Sequence, residues 1–270
     1  MLFAAAVAFA VVEMSATFVL ARRWGNYGIV DVVWSGGFAV IALIGLVLSW
    51  NVPSAAPGIP MPLPGLLVAG MVAVWSLRLA VHLGIRVASH HPVEDVRYAQ
   101  LRREWGDATS WRMFGFYQLQ GVLQAVLSTP FLLVFAASRN GTHRLGVPEC
   151  LGLAIWVTGI LGESIADRQL ARFRGDPANR GRVCQAGLWN WSRHPNYFFE
   201  WLVWVGYAVF ALGSPWGWAG LLAPLLMGHF LVNVTGIPMT EALSVNSKGD
   251  AYREYQRTTS AFIPWFKRAG

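Results

Sequence analysis

The chain has 270 residues, 55% of them hydrophobic and only 13% charged, with 14 Trp and a net charge of +7. An ordinary soluble domain carries about 25% charged residues, so this balance excludes a typical soluble fold. The basic excess needs no nucleic acid, because its placement along the chain reads as membrane topology.

The apolar residues fall in blocks at 2–20, 29–50, 65–88, 116–137, 147–167, 197–213 and 215–235. A bilayer core needs about 17–25 apolar residues per helix. The blocks therefore predict an all-α, polytopic integral membrane protein with about seven transmembrane helices. The first block has no basic stretch ahead of it and carries Glu13 inside, which predicts a first span rather than a signal peptide. Pro53, Pro57, Pro60, Pro62 and Pro64 make residues 51–64 a loop. After Pro92, the run Glu94-Asp95-Val96-Arg97-Tyr98 predicts a helix along the membrane surface.

With seven spans, one side holds Arg22, Arg23, Arg86, Arg97, Arg102, Arg103 and Arg112. The same side holds the arginines from Arg168 to Arg193, then Lys248, Arg253, Arg257, Lys267 and Arg268. The opposite loops hold Arg139 and Arg144. The positive-inside rule then puts the N-terminus outside and the C-terminus in the cytoplasm. Many Arg, few Lys and abundant Ala suggest a GC-rich bacterial genome, hence a bacterial inner membrane. Cys150 and Cys184 fall on opposite sides, which predicts no disulfide, and two cysteines are too few for a Cys-based metal site.

Most polar information lies in residues 163–200 and 236–266. Glu163 and Asp167 are four apart and share a helix face, as do Asn196 and Glu200. Carboxylates in spans are costly and face a cavity or a partner. Arg168, Arg172, Arg174, Arg180 and Arg182 lie between the pairs, and arginine holds phosphate in bidentate fashion. The set suits a bulky anionic nucleotide entering from the cytoplasm. A plainer reading pairs Glu163 and Asp167 with Arg168 or Arg172 and leaves the arginines to topology. No Gly-x-Gly-x-x-Gly occurs, so a Rossmann cofactor site is not expected.

The segment Gly187-Leu188-Trp189 … Ser192-Arg193-His194-Pro195-Asn196-Tyr197 … Glu200 resembles the C-terminal domain of the steroid 5α-reductase family. So does Glu241 … Gly249-Asp250-Ala251-Tyr252-Arg253-Glu254-Tyr255 … Phe262-Ile263-Pro264. The likeness covers roughly residues 150–266. It implies a seven-span, NADPH-dependent reductase of a double bond conjugated to a ketone, at work in lipid metabolism. It implies cofactor contacts at Glu163 (Asn in the steroid enzymes), Asp167, Arg174, Arg182, Asn196, Glu200 and Glu241. Arg193, His194 and Tyr197 lie inside the motif as neighbours. One membrane domain, 1–270, would then have a substrate-pocket half at 1–137 and a cofactor-binding half at 138–270.

The N-terminal half lacks the steroid enzymes' Gln-Glu pair. Asp31 is a lone carboxylate in an apolar run, and Arg78 and His82 share a face of span 3. A protonated Asp31 or His82 is the expected catalytic donor to the substrate carbonyl. The alternative is an Asp31–Arg78 pair that only joins spans 2 and 3. Gln118, Gln120 and Gln124 suit hydrogen bonds between helices. The expected partners are NADPH, a lipophilic enone such as a 3-oxo-Δ4-steroid, and membrane lipids. The Arg-His-Pro-x-Tyr element and Glu241 also fit S-adenosylmethionine-dependent membrane methyltransferases of the isoprenylcysteine carboxyl methyltransferase kind, which is the alternative function. No metal site is expected: the six His show no di-iron spacing.

Overall fold

The structure, a computed structural model, describes residues 1–50, 63–90, 92–139 and 143–267, without the side chain of His90. Most of the expected proline loop, with His91 and Arg268, lies outside the described residues. The described chain is all-helical and the protein is a polytopic membrane protein.

Helix α1 (Leu2–Trp24) is 23 residues, or about 35 Å at 1.5 Å per residue, enough for a bilayer core of about 30 Å. It ends at Gly25, whose φ of 67° is the left-handed turn that lets its N–H close on Ala21 O. α2 is Ile29–Trp50, α3 is Leu63–His90, and α4 is Val96–Trp105. α4 starts at Asp95, whose side chain accepts the Arg97 N–H as an N-cap. α5 is Thr109–Leu127 and α6 is Thr129–Ser138. α7 is Val147–Gly175, α8 is Pro195–Ala211 and α9 is Leu222–His229. A π-helical turn, Phe230–Val234, leads to α10 (Ile237–Lys248) and α11 (Asp250–Thr258).

Among the described residues five helices are long and apolar enough to cross a membrane. A sixth arises if the chain from Val96 to Ser138, bent by 45° before α6, is one span. Pro130 in the first turn of α6 fits that break, since proline is tolerated there and not inside a helix. The remaining expected span is α8, whose 17 residues sit at the short limit for a crossing. The helix expected along 147–167 runs on to Gly175, so Arg168, Arg172 and Arg174 are helical.

The chain divides into two compact units, Met1–Gly146 with Ala211–Gly220, and Val147–Phe210 with Leu221–Gly270. In the first, Phe38, Trp75 and Phe131 pack edge to face, and a second cluster gathers Met14, Tyr27, Val30, Tyr98, Met113 and Tyr117. Polar groups join its helices across the apolar region. Ser76 Oγ donates to Ser35 O, Trp34 Nε1 to Gln120 O at 3.0 Å, and Gln124 Nε2 to Trp34 O at 2.8 Å. Gln118 Nε2 donates to Ser15 Oγ at 3.2 Å.

In the second unit α7 and α8 approach so closely that a Cβ on Gly206 would lie 2.7 Å from the backbone N of Trp156. Val203, Trp204, Tyr207 and Phe210 form the buried face of α8. Both cysteines are free, Cys150 exposed and Cys184 buried.

Candidate functional site

Ten of the twelve residues singled out in the sequence belong to the second unit, on α7, α8, α10 and the loop between α7 and α8. That loop is pinned to α7. Leu188 N donates to Gln169 Oε1 at 2.9 Å, and Trp189 Nε1 donates to Ala166 O at 2.9 Å. Pro195 then opens α8 and sets Asn196 and Glu200 one turn apart.

Across α7 and α8 these polar groups meet. Asn196 Nδ2 reaches Asp167 Oδ1 at 3.5 Å, and the buried Asn196 Oδ1 has no hydrogen-bond partner among the described residues. Glu163 is buried one turn before Asp167. Glu200 accepts from Trp204 Nε1 at 2.9 Å. A buried acceptor without a donor costs free energy, which sets the Asn196 carbonyl apart from the Asp167-bound side of the same amide.

Against the C-terminal end of α7 lies a cavity of about 400 Å³. Arg174, Arg180, Arg182 and Lys248 line it, with Asn179 and Cys184 on its wall. Arg174 and Arg182 were expected as cofactor contacts and Arg180 belonged to the same arginine cluster, whereas Lys248 read in the sequence only as cytoplasmic charge. The sequence signal for Lys248 is its place just before Gly249, the helix-ending glycine of α10.

Arg193, His194 and Glu241 meet as a group and turn inward. Glu241 accepts from Arg193 Nε at 2.6 Å and Gln256 Nε2 at 2.8 Å, with His194 Nε2 at 3.2 Å. Arg193 also donates through Nη1 to Gln256 O and Thr259 O. The ring of Tyr197 stacks on His194 with centroids 5.3 Å apart, and its hydroxyl lies 3.0 Å from Thr240 Oγ1.

The segment after α11 is strapped to the same loop. Arg193 N donates to Ser260 O, Trp265 N to Trp191 O, and Ser192 Oγ to Phe262 O. Tyr255 is buried and its hydroxyl donates to Trp189 O and Ser192 O. Tyr252 is buried too, and burial, then the charge of Glu241, pushes its phenol up to about 12. Sequence spacing could not show this strap, because its partners are main-chain carbonyls some 65 residues away, as with Tyr255 and Trp189.

Asp31 and His82 belong to the first unit. Asp31 is held by donors on both oxygens: Arg97 Nη2 at 2.6 Å on Oδ2 and the Tyr98 hydroxyl at 2.6 Å on Oδ1. Arg86 lies 3.9 Å from Oδ2. The cation that meets Asp31 is therefore Arg97 and not Arg78. Asp95 extends the network to Arg97 and Arg86. Burial acts to raise its pKa, but the Arg97 hydrogen bonds and the Arg97 and Arg86 charges outweigh it and hold it below the ordinary value. His82 is exposed on α3 and is not part of this network.

One pairing in this unit could not be read from the sequence, although both of its residues stand out there. Glu13 and Gln124 lie so close over Gly37 that a Cβ there would overlap both.

Compared with known proteins, residues 17–259 match the family described as a protein of unknown function, DUF1295. An uncharacterized protein of Schizosaccharomyces pombe is 24% identical over 226 residues, covering 74% of this chain and 63% of that protein. The steroid 5-alpha-reductase DET2 of Arabidopsis thaliana is 30% identical over 118 residues, covering 43% of this chain and 40% of the relative. The chain thus spans less than two thirds of the length of either relative. No solved structure matches it. With the match running over nearly all of its length, the chain belongs to the DUF1295 family.

Proposed function

We propose that the protein is a membrane-embedded, NADPH-dependent reductase acting on the carbon–carbon double bond of a lipophilic enone. The observation that carries the reading is an open amide on α8, beside Asp167 of α7, together with a basic cavity at the C-terminal end of α7. Asn196 presents a buried carbonyl oxygen lacking a donor, and four cations with no ion pair among the described residues line the cavity at the end of α7. A dinucleotide with a carboxamide at one end and phosphates along the other fits that donor set. The partial similarity to a plant steroid 5-alpha-reductase supports the same class of reaction.

NADPH, when bound, would supply the hydride that adds to the β-carbon of the alkene, while the α-carbon takes a proton. Asn196, steadied by Asp167, would hold the carboxamide and so choose which face of the ring is presented. Arg174 and Arg182 would hold phosphate. Glu241, Arg193 and His194 fix the turn that starts α8 and thereby the direction of Asn196.

Thermal unfolding of the detergent-purified chain, titrated separately with NADPH and S-adenosylmethionine, tests the reading, because a ligand that binds only the folded state raises the midpoint. The expected result is a rise with NADPH that is lost in Asn196→Ala. A rise with S-adenosylmethionine and none with NADPH would replace the reductase with a methyltransferase.

A further inference from the structure

The four cations of the cavity come from two directions. Arg174 ends α7 and Arg180 and Arg182 follow in the loop, whereas Lys248 arrives from the last turn of α10. Basic residues in the last turn of a helix are favoured by its dipole, which accounts for Arg174 and Lys248 one at a time. It does not account for gathering both with two loop arginines at one hollow, where like charges repel.

None of the four has an ion pair among the described residues. Lys248 is half-buried, with Nζ 5.8 Å from the Tyr252 ring centroid. The acid on the wall, Asp176, uses its carboxylate to accept the Ala178 N–H at 2.9 Å. The cavity is thus built for an anion of more than one charge.

Its position narrows the ligand group. From Asp167, beside Asn196, to Arg174 is roughly 10 Å along α7, and the cavity opens along the end of that stretch, lined by Leu170, Phe173 and Arg174 and by the loop that follows. A cofactor with its carboxamide at Asn196 would bring its adenosine end here. A phosphomonoester carries a charge of about −1.5 to −2 at pH 7 and three acceptor oxygens, more charge at one point than either phosphate of a diphosphate bridge. Lysine serves such a group as a compact point charge with three donors.

Resting on the reductase reading, we infer that Lys248, seconded by Arg180, is the specificity-determining group that reads the 2′-phosphomonoester and so separates NADPH from NADH.

The test is the Kd of NADPH and of NADH for the detergent-purified full chain, in wild type, Lys248→Gln and Arg180→Gln. The comparison of 2′,5′-ADP with 5′-AMP repeats the contrast without the nicotinamide. Wild type should prefer NADPH and 2′,5′-ADP. Lys248→Gln should weaken both by about tenfold, the equivalent of about 1.4 kcal/mol, and leave NADH and 5′-AMP unchanged. Arg180→Gln, on an exposed loop, should show the same selective loss and serves if the Lys248 variant does not fold.

An unchanged NADPH-to-NADH ratio in both variants overturns the inference and leaves the reductase standing. An equal loss for NADPH and NADH puts the lysine on the diphosphate and also overturns it. A wild-type chain that binds neither dinucleotide removes the reductase reading itself, and the inference with it.

Discussion

Replacing Glu241 by alanine separates a clamp from a ligand contact. Its carboxylate takes three donors, from Arg193, Gln256 and His194, and the Arg193 and Glu241 side chains are only 10% and 15% exposed. Removing one partner of a buried pair costs about 3–5 kcal/mol. Arg193 would keep its bonds to Gln256 O and Thr259 O, which places the cost at the lower end, about 3 kcal/mol. An exposed pair would be worth under about 1 kcal/mol.

At about 2–4 °C per kcal/mol for a chain of this size, the ligand-free midpoint should fall by roughly 6–12 °C. Glu241→Gln keeps an acceptor for Arg193 Nε and should fall by about half as much. The assay is thermal unfolding of both variants and wild type in one detergent at one scan rate. A Glu241→Ala midpoint within about 2 °C of wild type, together with weakened NADPH binding, would refute the clamp and put Glu241 on the ligand.

Other expectations follow from the packing and the charges. Gly206→Ala forces a methyl against the backbone of Trp156 and should destabilise by about 1–3 kcal/mol, read as a lower unfolding midpoint. Tyr98→Phe removes one donor from Asp31 and should cost about 1–2 kcal/mol, measured the same way.

The depressed pKa of Asp95 gives its contribution a definite sign. It is present above the unfolded-state value and lost as pH falls through the lower folded-state value. The midpoint difference between wild type and Asp95→Asn should therefore shrink once the pH drops below the ordinary aspartate value of 3.8. A difference that stays constant through that range would show that Asp95 is not bound to Arg97 and Arg86.

Much of the candidate site was legible in the residues, but not which of them face inward. The four-residue spacings put Glu163 with Asp167 and Asn196 with Glu200 on helix faces, and the structure joins the two faces at Asp167 and Asn196. Arg193 and His194 read in sequence as neighbours within the cofactor motif, with nothing to show what they touch. In the structure they bond to Glu241 and to carbonyls of the closing segment. Sequence periodicity reports neighbours within a helix, and these partners are 47 to 66 residues away. The same limit hid the Arg97–Tyr98 grip on Asp31, which reaches 66 and 67 residues along the chain.

By itself the sequence determined that the chain is helical and membrane-embedded, because only long apolar runs can satisfy their backbone hydrogen bonds within lipid. It also determined where its basic charge is concentrated. Only the tertiary structure decided which cations are neutralised and which are left open. Arg97 meets Asp31 and Arg193 meets Glu241, while Arg174, Arg180, Arg182 and Lys248 share a cavity and none has an ion pair among the described residues. The physical reason is that a charge is set by what lies within a few ångströms of it, and chain order does not specify that distance.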